Sequence, residues 1–198
     1  MTNFFQVKKK SQLSNARLGL ITTAHGKINT PAFIFCGTKA TVKSVLPSQL
    51  KLASTQIILS NTYHLMLQPG PEIISKEGGL QNFTHWNGPM MTDSGGYQIF
   101  SLGYGSVSEE IKGKNNNTKR KSLIKITEEG ASFRNYINGD KVFLSPERSI
   151  ELQRDFGADL IFVLDECTPF NVSKKYTEKS MYMSCLLYTS DAADDHHR

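Results

Sequence analysis

The chain has 198 residues, of which 38% are hydrophobic, enough for one domain with its own core or for part of a larger one. Its opening, MTNFFQVKKK, lacks the apolar stretch of a signal peptide, and no apolar run approaches the ~20 residues of a membrane span. We therefore expect a cytoplasmic protein with no membrane partner, whose net charge of +5 fits a polyanionic ligand.

The first predicted elements are β-strands. Residues 16–22 and 27–35 flank a short Thr-Ala-His-Gly connection and predict a hairpin within an N-terminal β region, 1–40. Residues 41–55 predict a turn and a helix, and 56–61 predict a short buried strand.

The clearest unit lies between residues 144 and 169. Ser145 can cap a helix, Pro146 suits its first position, and Gly157 can end it. Residues 158–164 then read as a buried strand that leads to Asp165.

Polar residues follow three apolar segments at their carboxyl ends: Asn61 after IILS, Asp93 after PMMT and Asp165 after LIFVL. Strands that alternate with helices indicate a parallel sheet, and in (β/α) barrels the functional groups gather at these strand ends. A closed barrel takes about 250 residues. The sequence therefore predicts an α/β fold, an incomplete (β/α)8 barrel over 41–181 preceded by a small antiparallel sheet.

The stretch MTDSGGYQIF, residues 91–100, has the features of a binding loop. Gly95 and Gly96 let the backbone turn sharply and let a flat ligand approach closely. Thr92 stands where a nucleophile elbow requires glycine, so Ser94 does not match that motif. From these residues alone, the chemistry of the loop stays open.

Two other segments bear on function. Residues 112–121, KGKNNNTKRK, indicate a solvated surface loop, with contact to an RNA backbone as the lesser alternative. The three cysteines Cys36, Cys167 and Cys185 are widely spaced, which argues against a disulfide framework or a zinc site and predicts reduced, mostly buried thiols.

Six stretches carry a resemblance to a known family, in the family's order between about residue 14 and Met181: TPAFIFCGT, SNTYHLMLQPG, MTDSGGYQ, KITEEGASFRNYINGDK, LSPERSIELQ and FVLDECTP. The sequence resembles the queuine and archaeosine tRNA-ribosyltransferases, most closely the bacterial-type tRNA-guanine transglycosylases. In that family a wobble-position guanine of tRNA is flipped out, cleaved from its ribose and replaced by a 7-deazaguanine, through a covalent intermediate with a second aspartate.

The resemblance implies a role for each candidate residue. Asp93 handles the protons of the leaving and incoming bases, and Asp165 binds the guanine edge. Tyr97 stacks on the flipped base. The remaining assignments are Ser94, Gly95 and Gly96 as the pocket floor, and Asn61 and Cys167 as supporting residues.

Structural alternatives accompany these roles. Asp93 could cap the Ser-Gly-Gly bend, Asp165 could cap the segment after DECTP, and Tyr97 could be core packing. Asn61 could tie the strand end to its loop. Cys167 has no basic neighbour in sequence, which favours a small packing residue, and the isolated histidines support no catalytic role.

Beyond Met181 the resemblance is expected to stop. The family's nucleophilic aspartate and Cys/His zinc site have no match in the chain, so we expect zinc in the full-length protein, no cofactor here, and no activity from this chain alone. Residues 182–198 read as a foreign, disordered tail. The implied partners are tRNA with a wobble guanine and a guanine or 7-deazaguanine base, with a homodimer left open for the full-length protein. Two other classes remain: a non-catalytic RNA-binding module, and an unrelated barrel enzyme that binds phosphate at Gly95 and Gly96.

Overall fold

The computed structural model describes residues 4–104, 125–168 and 172–192. The predicted basic loop at 112–121 lies outside these residues. The chain forms two compact units: the first holds the residues up to Asp93 together with Gln153–Ile161, and the second holds Ser94–Leu152 and the residues from Phe162 onward.

The first unit begins with the expected small antiparallel sheet. Its strands, in the order β1-β2-β3, are β1 (Phe5–Lys10), β2 (Arg17–Thr23) and β3 (Gly26–Thr30). Ile21 pairs with Ile28 across the β2–β3 hairpin. The predicted strand 27–35 was too long, because Pro31 has no N–H to continue the ladder and β3 ends at Thr30.

A four-stranded sheet in the order β10-β6-β5-β4 completes the first unit, and all its strand pairs are parallel. Its strands are β4 (Phe35–Cys36), β5 (Ile58–Ser60), β6 (Met90–Thr92) and β10 (Leu160–Ile161). The parallel sheet confirms the α/β prediction. Because β4 pairs with β5, Phe35–Cys36 belong to this sheet and not to the hairpin region predicted for 1–40.

Four short helices connect these strands: α1 (Pro47–Leu52), α2 (Thr62–Leu67), α3 (Pro71–Lys76) and α4 (Leu80–Thr84). Pro47 and Pro71 occupy the starts of α1 and α3, where their fixed φ suits a helix and no N–H is needed. Apolar side chains from strands and helices form the core of this unit: Ile57, Ile58, Leu65, Ile74, Leu80, Met90 and Phe156.

The second unit contains an antiparallel sheet, β7-β8-β9, which the sequence analysis missed. Its strands are β7 (Lys125–Thr127), β8 (Gly130–Arg134) and β9 (Lys141–Leu144). Gly130 at the start of β8 and Gly139 in the β8–β9 connection adopt positive φ. The Asn-Gly pair before β9 was a readable hairpin signal. The helices that follow α4 along the chain are α5 (Gly96–Tyr104), α6 (Pro146–Asp155) and α7 (Lys174–Ala192).

Helix α6 has the ends that the sequence predicted. The Ser145 hydroxyl accepts a hydrogen bond from the Arg148 N–H at 3.1 Å, and Gly157 adopts φ +72° just past the last turn. The strand after it is shorter than the predicted 158–164. Ile161, on the edge strand β10 of the described sheet, is about half exposed instead of buried, and so is Phe162, which follows the strand.

Helix α7 extends to Ala192, into the segment from residue 182 for which a disordered tail was predicted, and the disorder of that tail stays a prediction. Residues 174–192 include Lys, Glu, Met, Leu and Ala and lack Gly and Pro, a composition that supports a helix. Residues 193–198 lie outside the described part. Within the described residues, none of the helices combines the length and apolar character needed to cross a membrane.

Candidate active site

Asp93 directly follows β6, as predicted, and its carboxylate is held by neighbours within the first unit. One oxygen, Oδ1, accepts the backbone N–H of Thr62 at 2.8 Å, and the other accepts the side-chain amide of Asn61. The Thr62 hydroxyl donates to the Asp93 carbonyl at 2.6 Å. These bonds join the ends of β5 and β6, since Asp93 N–H also donates to the Ser60 carbonyl.

Asn61 contacts this carboxylate through its side-chain amide, and its supporting role in the reaction stays a prediction. Asn61 is almost fully buried, and its backbone N–H donates to the Thr38 carbonyl in the loop after β4. The Cys36 thiol donates weakly to Asn61 Oδ1 at 3.8 Å, which leaves the amide nitrogen for Asp93. The sequence analysis did not identify Thr62 as a contact of Asp93. Its position directly after Asn61, the polar residue at the end of β5, was the available signal.

His64 lies on α2, one turn after Asn61. Burial and the charge of Lys39 lower the pKa of His64 below its ordinary value, and the opposing attraction of Asp93 does not compensate. This shift favours the neutral form of the imidazole. That the histidines have no catalytic role stays a prediction.

In the second unit, the Ser94-Gly95-Gly96 stretch forms a tight turn into α5. Gly95 adopts φ +86°, a conformation that side chains disfavour. Buried Ser94 accepts the Gly96 N–H at 3.1 Å and donates to Asp165 Oδ1 at 3.1 Å. Ser149 on α6 fixes the turn further by donating to the Ser94 carbonyl at 2.8 Å.

Asp165 packs directly against Gly96. A Cβ at position 96 would lie 2.5 Å from the Asp165 carbonyl oxygen and 2.9 Å from its Oδ1, so only glycine fits there without displacement. The Asp165 carboxylate is exposed and accepts Ser94 and, more weakly, the Cys167 thiol at 3.5 Å. Its neighbour Glu166 accepts hydrogen bonds from the Tyr176 and Ser180 side chains of α7, and a capping role for Asp165 stays an alternative.

Cys167 is part-buried beside Asp165, in surroundings that disfavour its thiolate. Burial, together with the negative charges of Asp165 and Glu166, raises the pKa of the Cys167 thiol to about 12. The packing interpretation of this cysteine is consistent with that pKa. Cys36 and Cys185 are exposed, which corrects the expectation of mostly buried thiols.

Tyr97, on the first turn of α5, is 51% exposed, so it is not a core side chain. An exposed aromatic ring can stack on a base. Gly96, Asp165, Cys167 and Met183 help to line a small cavity. Its volume of about 20 Å³ is enough for one water molecule. That cavity is too small to hold a purine.

The phosphate-binding alternative meets one of its two requirements, because α5 does begin at Gly96. However, Ser94 already occupies the Gly96 N–H, and the Asp165 carboxylate lies against the same glycine. A second anion at this helix start would be repelled. The local charge therefore disfavours phosphate there.

Asp159, which the sequence analysis did not single out, lies at the start of β6, at the other end of this strand from Asp93. Its side chain is fully enclosed and accepts hydrogen bonds from His25, Gln81 and the Met90 N–H, at the start of β6. Although burial opposes the charge, the bonds from Met90 and His25 hold the pKa of Asp159 below its ordinary value. Because it ties the β2–β3 turn to the sheet, we interpret Asp159 as structural.

Asp93 and Asp165, the two acids to which the resemblance gives the chemistry, belong to different compact units. Asn61 and Asp93 are brought together in the first unit, and Ser94, Gly96, Asp165 and Cys167 in the second. That Asp93 and Asp165 serve one base stays a prediction.

Comparison with known proteins identifies the family. The model of the queuine tRNA-ribosyltransferase family matches residues 11–198, which extends past Met181, where the resemblance was expected to stop. The foreign origin of the tail stays a prediction that the genomic reading frame can test.

Curated relatives agree. The chain is 46% identical over 182 residues to the queuine tRNA-ribosyltransferase of Roseiflexus sp. (strain RS-1), covering 91% of this chain and 46% of that protein. It is 45% identical over 182 residues to that of Protochlamydia amoebophila (strain UWE25), covering 91% and 47%. For Staphylococcus aureus (strain JH9), the identity is 46% over 173 residues, covering 87% and 41%. The chain thus spans about half the length of these relatives, and it belongs to the queuine tRNA-ribosyltransferase family.

Proposed function

We propose that the protein is a pentosyltransferase that exchanges the guanine at the wobble position of a tRNA anticodon for a 7-deazaguanine, queuine or its precursor. Family membership supports the reaction, and the hydrogen bonds to Asp93 are the observation that supports its site. A carboxylate oriented by an amide and a backbone N–H is preorganised for proton transfer. Because its substrate is tRNA, we assign the enzyme to the cytoplasm.

In the proposed reaction, the N-glycosidic bond breaks while an aspartate of the family, not among the residues assigned here, forms an ester with the ribose C1′. Asp93 delivers a proton to the departing guanine and removes one from the incoming base. The incoming base then displaces the ester, so two inversions give retention at C1′, as in retaining glycosidases.

Asp165 is proposed to select the base. Each of its carboxylate oxygens accepts one bond from Ser94 or Cys167 and keeps further acceptor capacity. A guanine-like edge presents a ring N–H and an exocyclic amino group, two donors that match this carboxylate, whereas adenine presents a ring acceptor there. Exposed Tyr97 supplies a stacking face.

The parallel sheet and its connecting helices are proposed to be the first part of a (β/α)8 barrel, and a homodimer is proposed for the full-length protein. Within the described residues no group of three or more His, Cys, Asp or Glu side chains could hold a metal ion.

The test is incorporation of radiolabelled guanine by the full-length protein into two unmodified tRNA transcripts, one with guanine and one with adenine at the wobble position. We expect label in the first transcript only, and a loss of about 100- to 10,000-fold in rate for Asp93→Asn. Tight tRNA binding without any incorporation would contradict the proposal and favour a non-catalytic RNA-binding module.

A further inference from the structure

Charge is segregated along this chain. Residues 1–71 contain eight Lys and Arg and no Asp or Glu, so all 18 acidic residues lie from Glu72 onward. The net charge of +5 for the whole chain therefore conceals a first third that carries +8. Such segregation is the electrostatic pattern of a surface that meets a polyanion.

Half of these cations lie together at one end of the N-terminal sheet. Lys10 on β1 is directly opposite Arg17 on β2, and Lys9 is opposite Leu18. The register shifts between Val7 and Lys9, so Lys8 is an extra residue in a β-bulge. All four cations are exposed. We call Lys8, Lys9, Lys10 and Arg17 the basic cluster.

The protein itself does not neutralise this cluster within the described residues. There the ion pairs are His25–Asp159 and Arg148–Glu151, and neither involves a residue of the cluster. Like charges directly across a ladder are destabilising, yet Lys10 and Arg17 occupy such a pair. An external anion would relieve this repulsion.

Protection of a sheet edge does not explain the cluster. Lysines on an edge strand discourage edge-to-edge pairing, and β1 is an edge strand of its sheet. Arg17, however, lies on β2, the central strand, and pairs with Lys10 of β1, so it does not stand on the free edge of β1. Its charge is available to a ligand that reaches across both strands.

We propose that the basic cluster is an RNA-contacting surface, which binds the phosphate backbone of the tRNA substrate without reading its sequence. The inference rests on the proposed function for the identity of the RNA. Cations on two adjacent strands suit an extended series of phosphates better than a single small anion, and Arg17 adds a planar donor fork to three lysine point charges.

The test is the salt dependence of tRNA binding by the full-length protein, with the fourfold variant K8Q, K9Q, K10Q and R17Q. Each lost phosphate contact lowers the slope of log affinity against log salt by about 0.7 to 0.9, so the variant should lose about 3. Raising the salt from 50 to 200 mM should therefore weaken the unmodified protein roughly 50- to 150-fold more than the variant.

A matched control removes four exposed cations elsewhere: K76Q, K125Q, K141Q and R154Q. It makes the same change in net charge, and we expect a smaller change in slope. Equal slopes for the two variants, or an unchanged slope for the cluster variant, would overturn the proposal. Binding of the cluster to phosphatidylserine vesicles but not to tRNA would also overturn it.

Guanine incorporation at saturating tRNA separates this inference from the proposed function. We expect the cluster variant to keep its maximal rate and to lose tRNA affinity. If the unmodified protein binds tRNA through the cluster but incorporates no guanine, the proposed function fails and the binding surface stands. If the fourfold variant does not fold, R17Q and K9Q are measured singly, and each must lower the slope by about 0.7 to 0.9.

Discussion

Replacing Gly96 with alanine should displace Asp165 and weaken the binding of the base. The new methyl group would lie 2.5 Å from the Asp165 carbonyl oxygen, so the backbone of one partner must move. Overpacking of this kind costs about 1–3 kcal/mol. We expect a folded protein, less stable by about 1–3 kcal/mol, with a misplaced Asp165 carboxylate.

The effect on function should exceed the effect on stability. Losing a hydrogen bond between the base and a charged acceptor costs about 1.5–3 kcal/mol, which predicts a KM for guanine raised roughly 10- to 150-fold in the exchange assay. Gly139→Ala is the control, because no atom lies within 4 Å of its new methyl group and only its φ of +80° is strained. A folded Gly96→Ala enzyme with an unchanged KM for guanine would refute the placement of Asp165 at the base.

Three further predictions concern individual contacts. Thr62→Val removes the hydroxyl that donates to the Asp93 carbonyl and should cost about 1–3 kcal/mol in urea unfolding, while Thr62→Ser should restore most of it; equal losses would contradict the role of this bond. Because the pKa of Asp159 is lowered in the folded state, its contribution is present above about pH 4 and is lost as the pH falls through the folded value. The free energy of unfolding should therefore fall more between pH 5 and pH 2 for the unmodified protein than for Asp159→Asn. Parallel curves of unfolding free energy against pH would contradict this contribution of Asp159. With the pKa of its thiol at about 12, Cys167 should resist iodoacetamide at pH 8 while exposed Cys36 reacts, as peptide mass spectrometry can show; equal labelling would disprove its burial.

Local signals predicted those parts of the fold that local interactions determine. Ser145, Pro146 and Gly157 mark the ends of α6 because capping and φ preferences act within a few residues. Asn61 and Asp93 were found because polar residues at the ends of buried strands are conspicuous, and parallel pairing brings those ends together.

Other features depended on contacts distant in sequence. That Gly96 must be glycine follows from the Asp165 carbonyl, 69 positions away, and no local pattern reveals it. The exposure of Ile161 accompanies the edge position of β10 in the described sheet, whereas its apolar sequence predicted burial. The unusual sequence of the tail drew attention away from the good helix formers within 174–192, which lack Gly and Pro.

The central claim is that Asp93 transfers protons while Asp165 binds the base, and the division of kcat and KM between two variants of the full-length protein tests it most directly. With labelled guanine and saturating tRNA, Asp93→Asn should lower kcat by about 100- to 10,000-fold with little change in the KM for guanine. Asp165→Asn should instead raise that KM, by roughly 10- to 150-fold. Full activity of Asp93→Asn, or an unchanged KM for Asp165→Asn, would contradict the assignment.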